Sequence, residues 1–127
     1  MNFPCGSTKT YQNCCKIARN SLANVITAEQ LMRSRYTAFT MGEGDYLMES
    51  HHSTTRPIKE KKNIVKWANS VTWLGLVIIN TTNGTDKDTE GTVEFKAHFL
   101  ENGKPQFIHE NSKFIKENNC WVYFGIV

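Results

Sequence analysis

The sequence predicts an α+β domain in which about three N-terminal helices pack on a curved four-stranded antiparallel sheet, preceded by a short cysteine knuckle. Three observations carry this. Apolar residues recur at helical spacing through residues 28–69, and from Val71 onward the period becomes two. Asn83-Gly84, Asn102-Gly103 and Asn118-Asn119 then punctuate the second half where hairpin turns are needed. Helices in one block and strands in another make the α+β plan, and a curved sheet closing over helices leaves a conical cavity.

The first helix starts at Thr27. Thr27 and Gln30 form a capping-box pair, and Ala28, Leu31, Met32, Tyr36 and Phe39 then make one apolar stripe that Gly42 terminates. A second short helix is expected at about Asp45–Ser50, burying Tyr46 and Leu47, and His51 to Pro57 reads as a loop. A third helix, about Lys59–Asn69, presents Ile64, Val65, Trp67 and Ala68. Its lysines, interleaved with Glu60, read as a solvated face.

Trp73 to Thr82 is β-branched and aromatic and reads as the first strand. The cleanest alternation follows: Val93, Phe95, Ala97 and Phe99 point one way, and Glu94, Lys96 and His98 the other. Phe107–Lys116 is the partner strand across Asn102-Gly103, and Cys120–Val127 is the last strand, with Cys120 expected in the core. The outward face of Glu94, Lys96 and His98 is either a wet polar face or the contact surface of a homodimer.

A chain of 127 residues holds one ordinary domain. Its net charge of +3 forms no dense basic stripe, which argues against a nucleic-acid partner. No apolar run is long enough to span a membrane and no signal peptide is visible, so a cytoplasmic location is expected. Cys5, Cys14 and Cys15 crowd one short segment and Cys120 stands apart, which favours metal over a disulfide framework.

The stretch Thr27-Ala28-Glu29-Gln30-Leu31-Met32-Arg33-Ser34-Arg35-Tyr36-Thr37-Ala38-Phe39 resembles the signature helix of YchJ-like proteins. Asp45-Tyr46-Leu47, Trp73-Leu74-Gly75-Leu76, Gly91 to Ala97, His109 to Phe114 and Trp121-Val122-Tyr123 follow in that family's order. The resemblance implies a core domain at 27–127 similar to the cone folds of nuclear transport factor 2 and SnoaL. It also implies a zinc-binding SEC-C-like knuckle and linker at 1–26. The metal ligands carried over are Cys5, Cys14 and Cys15, while Phe3 stands where the first cysteine of the pattern belongs. Zinc then needs a fourth donor, either His51 or His52 from the loop or a water; otherwise the site is partly occupied or decayed. A SEC-C-like knuckle implies contact with a protein partner.

The other candidate site is the cone. Ile108, Glu110, Ser112 and Phe114 share a face by period two, and a carboxylate among apolar neighbours needs a partner. Arg33 or Arg35 supplies one if a buried Arg–Glu pair fixes helix against sheet. Alternatively Arg35, Tyr36, Tyr46, His52, Glu110 and Ser112 line a pocket for a small ligand. The leading functional reading is a zinc-associated binding or adaptor module with a ligand- or protein-binding cone. The alternative is a small-molecule enzyme with acid–base chemistry at Glu110.

Overall fold

The computed structural model describes residues 25–127. The cysteine segment, with Phe3, Cys5, Cys14 and Cys15, lies outside the described residues. Thr27 is extended and its hydroxyl accepts the Gln30 N–H, so α1 (Ala28–Met41) begins at the expected cap. The reciprocal bond differs slightly from the expected box: Gln30 Oε1 takes the Ile26 N–H at 2.8 Å, one residue before the cap. Gly42, at φ 66°, ends the helix in the left-handed region, and Glu43 N–H closes back on Ala38 O.

Helix α2 (Gly44–Glu49) buries Tyr46 and Leu47 as expected. The third helix begins as a 3-10 turn (Ile58–Glu60) and continues as α3 (Lys61–Ser70). Lacking a side-chain cap at its start, it enters through the tighter turn.

The sheet is an antiparallel meander of β1 (Thr72–Asn83), β2 (Glu90–Glu101), β3 (Lys104–Glu117) and β4 (Cys120–Ile126) in chain order. Asn102 and Gly103 both take positive φ, as do Asn118 and Asn119, so two-residue turns join β2 to β3 and β3 to β4. Strand β3 therefore starts three residues earlier than its apolar pattern, at Lys104 opposite Glu101. Two register irregularities in β1, at Trp73/Gly75 and Ile78/Asn80, favour the bend of the sheet around the helices. Gly84 and Gly91 meet backbone to backbone at the base of the β1–β2 hairpin: a Cβ on Gly91 would fall 2.5 Å from Gly84 Cα. There Gly84 O accepts the Ala28 N–H, docking the start of α1 on the hairpin.

Val93, Phe95, Ala97 and Phe99 do face inward and are buried, with Leu31, Phe114 and Trp121 in the same core. Trp121 donates its indole N–H to Ile26 O at 3.0 Å. Helix α1 is buried well beyond its stripe, including Ser34, Arg35 and Thr37, because it lies between the sheet and α2 and α3. Cys120 is half-buried at the mouth of β4 and so lies at the margin of the core rather than inside it. Glu94, Lys96 and His98 face away from the helices, with Glu94 bonded to His109 and Lys96 over the Phe107 ring. Leu74, Val77, Ile79 and Phe107 are exposed apolar residues of the sheet. Among the described residues no helix is long and apolar enough to cross a membrane.

Candidate functional site: the cone cavity

The space between α1 and the inner face of the sheet holds a cavity of about 160 Å³. Successive turns of α1 bring Met32, Arg35, Tyr36 and Phe39 to it. Period-two alternation brings Phe95 and Ala97 of β2 and Ile108, Glu110 and Ser112 of β3. Trp67 of α3, Trp73 of β1 and Tyr123 of β4 complete the wall. Trp73 meets Tyr36 and Trp67 edge-on, each at 5.6 Å between ring centroids. Both indole N–H groups are spent elsewhere, Trp67 on Glu101 and Trp73 on Ala68 O, so these rings offer the cavity apolar surface.

Arg35 is the charged group deepest in this wall, at 7% exposure. Its Nη1 donates to Leu47 O at 2.9 Å and to Ser50 Oγ at 2.7 Å, and its guanidinium lies 4.8 Å from the Tyr123 ring centroid. Ser50 Oγ in turn donates to Tyr46 O, which ties α2 to the guanidinium. Burial pulls the Arg35 pKa down to about 10, against the opposing pull of Tyr123, Tyr46 and Glu110, so it stays cationic at neutral pH. Burial pushes the Tyr123 phenol up, and the Glu110 charge adds to that.

The buried Arg–Glu pair does not form. Arg35 spends its bonds on Leu47 and Ser50, Arg33 pairs with Glu29 within α1, and Glu110 accepts from Ser112 Oγ at 3.2 Å. The reason is depth: α1 sits with Arg35 turned toward α2 and β4, so the guanidinium finds a carbonyl and a hydroxyl before it reaches β3.

Of the pocket residues expected from sequence, Arg35, Tyr36, Glu110 and Ser112 line the cavity. Tyr46 and His52 do not. The Tyr46 hydroxyl bonds to Ser34 Oγ at 2.7 Å, and the residue lines a separate open depression with Gly42 and Lys61. His52 stands in the loop beside Glu117, with its Nδ1 facing Thr54. Sequence reasoning missed Phe39, Trp67, Trp73 and Tyr123 as cavity residues. Their aromatic character was visible, but their convergence was not.

A second, more open space of about 430 Å³ shares Arg35, Phe39, Trp67 and Tyr123 with the inner cavity and adds His51, Ile64 and Pro57. It forms a vestibule. His51 packs edge-on against Tyr123 at 4.9 Å. Burial, and after it the charges of Arg35, Arg56 and His52, hold its pKa down to about 4, so the ring is neutral at physiological pH. Among the described residues no group of three or more His, Cys, Asp or Glu side chains is placed to hold a metal ion.

Comparison with known proteins fits this architecture. Residues 27–125 match the family model described as YchJ, middle NTF2-like domain. A UPF0225 protein of Vibrio parahaemolyticus is 41% identical over 94% of this chain and 71% of its own length. A UPF0225 protein of Geobacter sulfurreducens is 38% identical over 94% of this chain and 74% of its own. The solution structure of a SEC-C motif containing protein from Rhodopseudomonas palustris superposes with a TM-score of 0.83 at 35% identity, covering 98% of this chain and 95% of that one. The crystal structure of a SEC-C motif containing protein from Psychrobacter arcticus gives a TM-score of 0.77 at 28% identity, covering 100% of this chain and 81% of that one. This chain therefore belongs to the YchJ (UPF0225) family, and its α+β cone is that family's middle NTF2-like domain.

Proposed function

We propose that this protein is a binding module whose cone cavity takes a compact, largely apolar small molecule through an anionic group set against Arg35. One observation carries the reading. A buried guanidinium in the wall of an aromatic cavity commits only Nη1 to hydrogen bonds with the described residues, and no carboxylate among them is its ion-pair partner. An apolar pocket with a few convergent polar groups is the usual form of a small-molecule site. The test is a heteronuclear NMR screen of ring-sized acids, amines, zwitterions and neutral fragments. Acid-bearing fragments should move the amides around Arg35, Tyr36 and Tyr123, and Ala97→Leu, which fills the cavity, should abolish the response. Equal responses to neutral fragments, or none to any fragment, would remove the reading.

The N-terminal thiols form the second half of the proposal. Cys5, Cys14 and Cys15 are the thiolates that would hold a zinc ion, which would order the knuckle for contact with a protein partner. The fourth donor would be His51 or His52 from the loop, or a water; among the described residues His52 is bonded to Thr54 and lies beside Glu117, and His51 packs on Tyr123. Phe3→Cys should then raise zinc affinity far above that of Phe3→Ser. Equal affinity of the two variants in a chelator competition would exclude the knuckle.

Glu110 favours a second reading. It lines the same cavity with no hydrogen bond to Arg35, so acid–base catalysis on a bound ligand is open to it. A Glu110→Gln variant that binds ligand normally yet turns nothing over would select this reading, and a parent protein without turnover would reject it.

A further inference from the structure

The cavity wall carries two opposite charges that no hydrogen bond joins. Arg35 Nε and Nη2 have no acceptor among the described residues. Among the described residues no fully buried side-chain polar atom lacks a partner, so these nitrogens keep access to the inner cavity or to the vestibule, both of which Arg35 lines. Glu110 has one oxygen bonded to Ser112, and its other oxygen receives no donor from the described residues. A ligand bearing only a carboxylate would gain at Arg35 and lose at Glu110. A ligand bearing only an ammonium would do the reverse. With largely apolar walls around them, both effects are stronger than in bulk solvent. A ligand carrying both groups satisfies both residues.

Size narrows the class. The inner cavity of about 160 Å³ compares with the roughly 150 Å³ apolar cavity that accepts one benzene ring. The vestibule shares Arg35, Phe39, Trp67 and Tyr123 with it, so the remainder of a ligand would extend past those side chains. Trp67, Trp73 and Phe95 supply flat and aliphatic-compatible surface. Resting on the ligand-binding reading above, we infer that the cavity is a site for a small zwitterion. The ligand class is an α-amino acid or related ammonium carboxylate with a branched or single-ring apolar side chain, its carboxylate on Arg35 and its ammonium on Glu110.

The experiment titrates the full chain with L-phenylalanine, 3-phenylpropanoate and phenethylamine, and with L-leucine, 4-methylpentanoate and isopentylamine, following cavity amides by NMR. At least one amino acid should bind about tenfold or more tighter than both of its single-charge analogues. In Glu110→Gln the gap between that amino acid and its acid analogue should shrink to within about twofold, because the ammonium has lost its partner. Glu110 is only partly buried and Gln keeps its shape and hydrogen bond, so this variant is expected to fold, and far-UV circular dichroism checks it. If the acid analogue binds the parent as tightly as the amino acid, the zwitterion assignment is overturned while the ligand-binding reading stands. If Glu110→Gln leaves the gap intact, the ammonium is not on Glu110 and the assignment is again overturned. If none of the six compounds moves a cavity amide, both fall.

Discussion

Mild acid should destabilise this domain through one side chain, His51. In the folded state burial and neighbouring cations hold its pKa near 4, against 6.5 for a free imidazole. The sign follows from which state takes up the proton. As pH falls through 6.5 the unfolded ring protonates while the folded ring stays neutral, so each step favours the unfolded chain. The contribution is complete above 6.5 and drains away between 6.5 and about 4. The full difference corresponds to roughly 3 kcal/mol, and solvent reaching the vestibule wall reduces it to about 2 kcal/mol. Asp88 and Glu117 are also held below their ordinary pKa values, by hydrogen bonds from Thr85 and Ser53. Their contributions are lost only as pH falls past 3.8 and 4.5. The window from about pH 7 to about pH 5 therefore reports on the histidine, where roughly 1 kcal/mol should be lost. Urea denaturation at both ends of that window, for the parent and for His51→Gln, makes the measurement. The parent should lose about 1 kcal/mol more than the variant. Equal losses would mean that the folded ring takes up a proton freely, and the account of its burial would be wrong.

Two further perturbations test the packing. Phe114 is fully buried in the core with Leu31 and Trp121, so Phe114→Ala should cost about 3–5 kcal/mol in urea unfolding; a cost below about 1 kcal/mol would place the core elsewhere. Gly91→Ala drives a methyl group into the Gly84 backbone, where neither atom is at the end of a flexible side chain, so the hairpin base must open at a cost of about 1–3 kcal/mol. An unchanged melting temperature would contradict that close approach.

The sequence by itself determined the fold class, the start and end of α1, the inward face of β2 and the asparagine turns. Each of these depends on short-range chemistry. A cap needs a hydroxyl and a donor three residues on, a two-residue hairpin needs residues that tolerate positive φ, and a half-buried strand needs alternation. Sequence also placed Glu110 and Ser112 on one face of β3, because that follows from period two alone. Tertiary structure decided what those side chains meet. Arg35 was legible as a helix residue near the sheet, but its choice of Leu47 O and Ser50 over Glu110 depends on how deeply α1 sits and how α2 folds back across it. Tyr46 turned to Ser34 and His52 to Glu117 for the same reason. Trp67 and Trp73 come from consecutive elements and Tyr123 from the last strand, and only their packing angles bring them to one wall. Periodicity fixes the face on which a side chain stands; the partner it finds is set by the distance and rotation between elements, which no local pattern encodes.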